Sequence, residues 1–140
     1  MGQQQLLLII LGVIVVGIAV AVGITMFNDS AVSANRDAVT NDLVNLASRA
    51  QQYYRRPTAL GGGGGTFTAL TAGSGMRLLT KTNSAAMRNG NGTYTIVTST
   101  ASTVQLQGLG TEKGNDPNNP VKVVMDVWAD SAKVNAASTN

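Results

Sequence analysis

Residues 6–27 form a run of 22 in which Thr25 is the only plainly polar side chain, and no charged residue occurs before Asp29. About 20 apolar residues cross the hydrocarbon core of a bilayer, so this run is expected to be a membrane-spanning helix. A cleaved secretory signal would carry a basic segment ahead of a shorter apolar one. Here Met1-Gly2-Gln3-Gln4-Gln5 is uncharged and the first cation is Arg36, so the run reads as retained. Small residues punctuate it at Gly12, Gly17, Ala19, Ala21 and Gly23. Gly17/Ala21 and Ala19/Gly23 are small-xxx-small pairs, which let helix backbones approach closely in lipid. Each glycine also costs a helix roughly 1 kcal/mol relative to Ala, so any break in the helix is expected between Gly12 and Gly23.

All seventeen charged residues lie in the remaining 112 positions, which alone could fold in water and suffice for one small core. Charged residues make up 12 % of the chain, about half the usual share, and the net charge is +3. That balance is too small to argue for nucleic acid by itself. The absence of His and Cys excludes an imidazole base, a thiol nucleophile, a disulfide and a His/Cys metal site. Ser and Thr are plentiful, but no base is set near them, so no enzyme and no cofactor are expected.

Helical character continues past Phe27. Val32, Val39, Leu43, Leu46, Ala50 and Tyr53 recur at steps of 7, 4, 3, 4 and 3, which places them on one face of an amphipathic helix. No Gly or Pro interrupts residues 28–56, and Pro57 stops the helix just after the cations Arg55 and Arg56. If continuous, residues 1–55 would make a rod of about 80 Å at 1.5 Å per residue. The boundaries follow: an apolar half over 1–28 and an amphipathic half over 29–56.

On these residues the chain resembles the type IV pilins and pseudopilins, the subunits of pilus and secretion filaments. The resemblance spans about residues 1–57: the uncharged Leu6–Phe27 stretch near the N-terminus, the amphipathic run to Tyr54, and the ending Gln51-Gln52-Tyr53-Tyr54-Arg55-Arg56-Pro57. It implies a pilin-like α+β fold, with the amphipathic half of the helix packed under a small C-terminal antiparallel sheet. It also implies a homopolymer of identical subunits that begins in the inner membrane and ends as an extracellular filament on the cell surface. A prepilin peptidase and an assembly motor are the implied partners. Gln5 stands where the family usually has Glu, the apolar stretch lacks the proline many members carry, and the family's C-terminal disulfide is impossible here. In this family the leader is cut after a glycine, which leaves two mature starts open, Met1 and Gln3.

Beyond the helix, 57–92 reads as a Gly-rich linker and irregular region. The run Gly61–Gly65 lacks the Lys-Ser/Thr of a phosphate loop and reads as a linker, flexible or tightly packed. Residues 75–88 suggest a short helix, and Asn89-Gly90-Asn91-Gly92 a turn. An antiparallel sheet is expected over 93–130 from strands at Thr93–Thr98, Thr103–Gln107 and Val121–Ala129. Their inward faces would be Tyr94/Ile96/Thr98, Val104/Leu106 and Val121/Val123/Met125/Val127. Residues 131–140 read as a polar tail. Asp116, in a Pro/Asn-rich stretch, offers one carboxylate with only Glu112 nearby, so the stretch reads as a turn rather than a Ca²⁺ site. Trp128 reads as core or intersubunit contact. Asn28-Asp29-Ser30 and Asn91-Gly92-Thr93 fit the N-glycosylation triplet, and Asn91, on the expected turn, is the better candidate.

The leading expectation is therefore a structural filament subunit. Gly12, Gly17, Ala21 and Gly23 would pack the filament core, and Gln3, Gln4 and Gln5 would make polar contacts between subunits. Val39, Leu43, Leu46, Ala50 and Tyr53 would lie under the sheet. The alternative is a single-pass anchored exterior domain that binds a partner without polymerising. Arg49, Arg55 and Arg56 could meet DNA, but such cations more often complement a helix end, and no nucleic-acid partner is expected.

Overall fold

The absence of helix breakers between Asn28 and Arg56 has its full effect in the computed structural model, which describes residues 2–113 and 120–135. Helix α1 runs without interruption from Gly2 to Arg55. Gly12, Gly17 and Gly23 lie inside it and none of them breaks it. A 3-10 turn follows at Thr58–Leu60, then the short helix α2 at Gly75–Thr80. Strands β1 (Met87–Arg88), β2 (Gly92–Ser99), β3 (Thr103–Lys113), β4 (Pro120–Trp128) and β5 (Ala132–Val134) complete the order. The chain divides into two compact units, one ending at Ala31 and one beginning at Val32.

The first unit is helix alone. Its large apolar side chains are all exposed, from 48 % at Val22 to 73 % at Phe27. This stretch is long and apolar enough to cross a membrane.

The second unit is an α+β arrangement: the later part of α1 packs against one five-stranded antiparallel sheet. The strands lie in chain order, β1-β2-β3-β4-β5, so every connection is a hairpin-type link between neighbours. Val39, Leu43, Leu46, Ala50 and Tyr53 are buried in α1, joined by Ala47. They share one core cluster with Phe67, Leu70, Met76 and Leu79 from the intervening segment and with the inner face of the sheet. Tyr94 and Ile96 of β2, Val104 and Leu106 of β3, and Val121, Val123, Met125 and Val127 of β4 supply that face. Val32 and Tyr54 pack at its margins, and the Tyr54 ring lies 4.7 Å from that of Phe67, centroid to centroid. No polar or charged residue is buried among the described residues.

Gly108 explains how the helix comes so close. A Cβ there would overlap Val39 Cγ1 and crowd the Tyr94 ring at 3.1 Å, so only glycine lets α1 settle against β3. Gly108 and Gly110 also explain why β3 extends to Lys113 rather than stopping at Gln107: the alternation is masked by residues with no side chain, while the pairing continues.

Several expectations need correction. The helix at residue 75 ends at Thr80, where Lys81 turns into the left-handed region at φ 56°, and Met87–Arg88 is an edge strand, not helix. Thr98 does not share the face of Tyr94 and Ile96. The register shifts between Ile96 and Thr98, so two residues of β2 span one step of β3 and the alternation inverts. Residues 131–140 are not simply a tail, because Ala132–Val134 pairs with Met125–Val127. Trp128 is half-buried opposite Thr103 rather than in the core. Asp116 and its turn lie outside the described residues.

Candidate functional site

Two sets of residues carry the functional interest. The first is the surface of the helical unit. Gln3, Gln4 and Gln5 are exposed in the first turns of α1, where no acidic side chain faces the helix's free amides. A Cβ built on Gly12, Gly17 or Gly23 meets nothing within 4 Å, so no contact among the described residues requires glycine at these positions. At about 100° per residue, Gly12, Ala19 and Gly23 fall on one side of the helix, and Gly17 and Ala21 on nearly the opposite side. Both sides present small residues among Leu, Ile and Val.

The second set fixes the globular unit to α1. Asp42 lies beside the buried stripe and is half-buried. One of its oxygens, Oδ2, accepts three hydrogen bonds: from Asn89 Nδ2 at 2.7 Å, Asn91 Nδ2 at 2.9 Å and the Tyr94 hydroxyl at 2.6 Å. Burial pushes the Asp42 carboxyl up, but the bonds from Asn91, Tyr94 and Asn89 outweigh it and hold the pKa below the ordinary 3.8. The Tyr94 hydroxyl is displaced strongly upward, by burial first and then by donating to the carboxylate. Asn89 and Asn91 occupy the tight turn between β1 and β2. Asn89 Oδ1 accepts from the backbone amides of Asn91 and Gly92, so the turn is closed by its own side chain before it reaches the helix. Asn35, about two turns before Asp42 on the helix, adds a second tie: its Nδ2 donates to the Asn91 carbonyl at 2.9 Å.

The Asn91 nitrogen that would carry a glycan is therefore the one donating to Asp42, and the residue is half-buried. Asn28, the other triplet asparagine, is exposed on the helix.

The pentaglycine run proves to be the cap of α1. The amides of Gly63, Gly65 and Gly64 donate to the carbonyls of Tyr53, Tyr54 and Arg56 at 2.8–2.9 Å, so the loop answers carbonyls that the helix end leaves without partners. Glycine is needed here for space: a Cβ on Gly63 would strike the Thr66 carbonyl and sit 2.9 Å from the Tyr53 ring. Across the domain, Gln51 Nε2 donates to the carbonyls of Trp128 and Ser131, and Arg55 donates to that of Ala129, tying the helix to the β4–β5 turn. Arg55 is thus engaged within the fold and stands apart from Arg49 and Arg56.

Sequence reasoning missed the Asp42 clamp. Its signals were a lone acid flanking an apolar stripe and a turn with two asparagines, but the residues are about 50 positions apart. Among the described residues, no three acidic, His or Cys side chains gather in a metal-binding group. No family model matches the chain, and no curated protein and no solved structure matches it.

Proposed function

We propose that this chain is the structural subunit of a type IV pilus-like extracellular filament, polymerising through its N-terminal apolar helix. The observation that carries the reading is that α1 is a single helix of 54 residues serving two purposes. Its later part is the spine of a folded domain, and its earlier part presents an uncharged apolar surface that is exposed among the described residues. A simple anchor has no need of a spine that continues into the domain's core.

In this reading the helical unit first resides in the membrane and then bundles with copies of itself. Lipid is as apolar as leucine, so the transfer gains little hydrophobic energy, and close packing must hold the polymer. The small residues on two opposite sides, Gly12/Ala19/Gly23 and Gly17/Ala21, suit a helix with neighbours on both flanks. Gln3, Gln4 and Gln5 would then lie in a dry bundle, where an unpaired amide costs several kcal/mol on the alkane scale. They are expected to hydrogen-bond a neighbouring subunit. Extraction from the membrane calls for an external motor, and maturation for a prepilin peptidase. No catalytic role, cofactor or nucleic-acid partner enters this reading.

Electron microscopy of particles sheared from cells expressing the chain tests it. Helical fibres containing the protein are expected. Monodisperse detergent particles with no fibres under any condition would overturn the reading in favour of the single-pass anchored domain.

A further inference from the structure

Arg49, Gln52 and Arg56 follow one another at intervals of three and four and so line one flank of the last turns of α1. The end of α2 faces them. Between the two lies a cleft of about 230 Å³, whose lining includes Arg49, Gln52, Arg56, Leu78 and Lys81. Three cations thus converge on one cleft whose lining contains no carboxylate. Neither guanidinium nor the Lys81 ammonium has an ion-pair or hydrogen-bond partner among the described residues, in contrast with Arg55.

A second observation concerns the backbone. Lys81 has φ 56°, the one left-handed non-glycine among the described residues. That conformation belongs by preference to Gly or Asn, and a long side chain there is locally unfavourable. The chain uses glycine freely at left-handed positions elsewhere, at Gly61, Gly64 and Gly65. Here it holds a lysine at the rim of a cleft already lined by two arginines that have no ion-pair partner among the described residues. A departure from the local rule at a charged cleft is where strain and binding commonly meet.

We infer that this cleft binds a phosphate or sulfate group. Guanidinium forks match tetrahedral oxyanions in bidentate geometry, and the lysine adds a point charge. The exposed Gln52 amide supplies neutral donors at the same flank. The volume lies below the roughly 300–1,000 Å³ of sites for drug-sized ligands, which fits one small anionic group rather than a large molecule. The group could arrive as the free ion or as a sulfate ester on a polysaccharide. The inference does not depend on polymerisation.

The test uses the full chain in a maltoside detergent at low ionic strength, titrated with inorganic phosphate in a calorimeter. Saturable one-to-one binding is expected. Lys81→Gly should weaken it about tenfold, the loss of one charge-assisted contact. The same variant should unfold at an equal or higher temperature in phosphate-free buffer, because glycine adopts this φ without penalty. The double variant Arg49→Gln/Arg56→Gln should abolish binding. Lys133→Gln, which removes one charge on exposed β5, should leave the affinity within about twofold. A parallel titration with a sulfated polysaccharide assigns the source: tighter binding that is still sensitive to Lys81→Gly points to a polymer-borne ester, and binding of phosphate alone to the free ion. Unsaturable binding, or equal losses in Lys81→Gly and Lys133→Gln, would show only general attraction to a basic protein and overturn the site.

Discussion

Residues 2–30 and 32–55 belong to one helix, yet their side chains do opposite things. In the first stretch no large apolar side chain is less than 48 % exposed. In the second, Val39, Leu43 and Ala50 are fully buried and Leu46 is 2 % exposed. Burying a leucine is worth roughly 1.5–3 kcal/mol, so the second stretch draws its stability from the sheet laid on it. The large apolar side chains of the first are buried by none of the described residues. Secondary structure alone therefore says little about what stabilises a helix. The informative quantity is which face is covered, and a contiguous uncovered apolar surface of this size marks contact with something outside the chain.

The sharpest way to break this comparison is to thicken the helix where nothing in the chain objects. Gly17→Leu leaves the chain's own fold unchanged, since a Cβ there meets nothing, and leucine is the better helix former and the more apolar residue. If the helix packs against copies of itself, overpacking costs about 1–3 kcal/mol at each contact and the polymer repeats that cost at every subunit. Sheared fibres should disappear on immunoblots while the membrane fraction keeps wild-type amounts. Normal fibre yield would mean that the apolar stretch only anchors.

Matched truncations in the two stretches come next. Leu43→Ala should destabilise the globular unit by about 2–5 kcal/mol in denaturant titrations of the detergent-solubilised chain. Ile14→Ala should leave that transition unmoved, because Ile14 is 53 % exposed and lies in the other unit. Glycine substitutions draw the same contrast at smaller scale. Gly63→Ala forces a methyl group against the Thr66 carbonyl and the Tyr53 ring and should cost about 1–3 kcal/mol. Gly12→Ala should leave the globular transition unchanged and raise helicity slightly.

The smallest expected effect concerns the clamp. Asp42 has a pKa lowered in the fold, so its stabilisation is complete above the unfolded value near 3.9 and is lost as pH falls through the lowered one. Asp42→Asn should therefore be less stable than wild type at pH 7, with the difference shrinking below about pH 4. Tyr94 shifts the other way: its raised pKa makes stability fall as pH climbs above about 10, the ordinary value. Tyr94→Phe should flatten that alkaline limb. Thermal melts across pH measure both.

Much of this architecture was legible from spacing. The stripe from Val39 to Tyr53 follows the helical period, and the inward residues of β3 and β4 follow the strand period, because both alternations are long enough to be counted. What escaped was short or nonlocal. Strands β1 and β5 hold two and three residues, too few to display a period, and form only because a longer neighbour offers its edge. The shift after Ile96 carries no Gly or Pro to mark it, and Val97-Thr98-Ser99 is too short a stretch to reset a period by itself. Asp42 reads as one more solvated charge until the fold brings the asparagine turn to it. The pentaglycine run left a flexible and a tightly packed linker open, and its amides, closing the end of α1, take the packed form. Of the cationic cleft, Arg49 and Arg56 stood out beside Arg55. Nothing in the sequence separated Arg55 from them or added Lys81, which arrives through the left-handed turn after α2.

The strand order has a consequence for how the protein is made. Each strand of the meander pairs with the one synthesised just before it, and none has to insert between two already formed. As the chain emerges, β2 can fold onto the waiting stripe of α1, β3 onto β2, and β4 onto β3, with only short loops to close at each step. A growing chain held at its N-terminal helix would thus complete its domain in the order of translation, shielding each new apolar face soon after it appears.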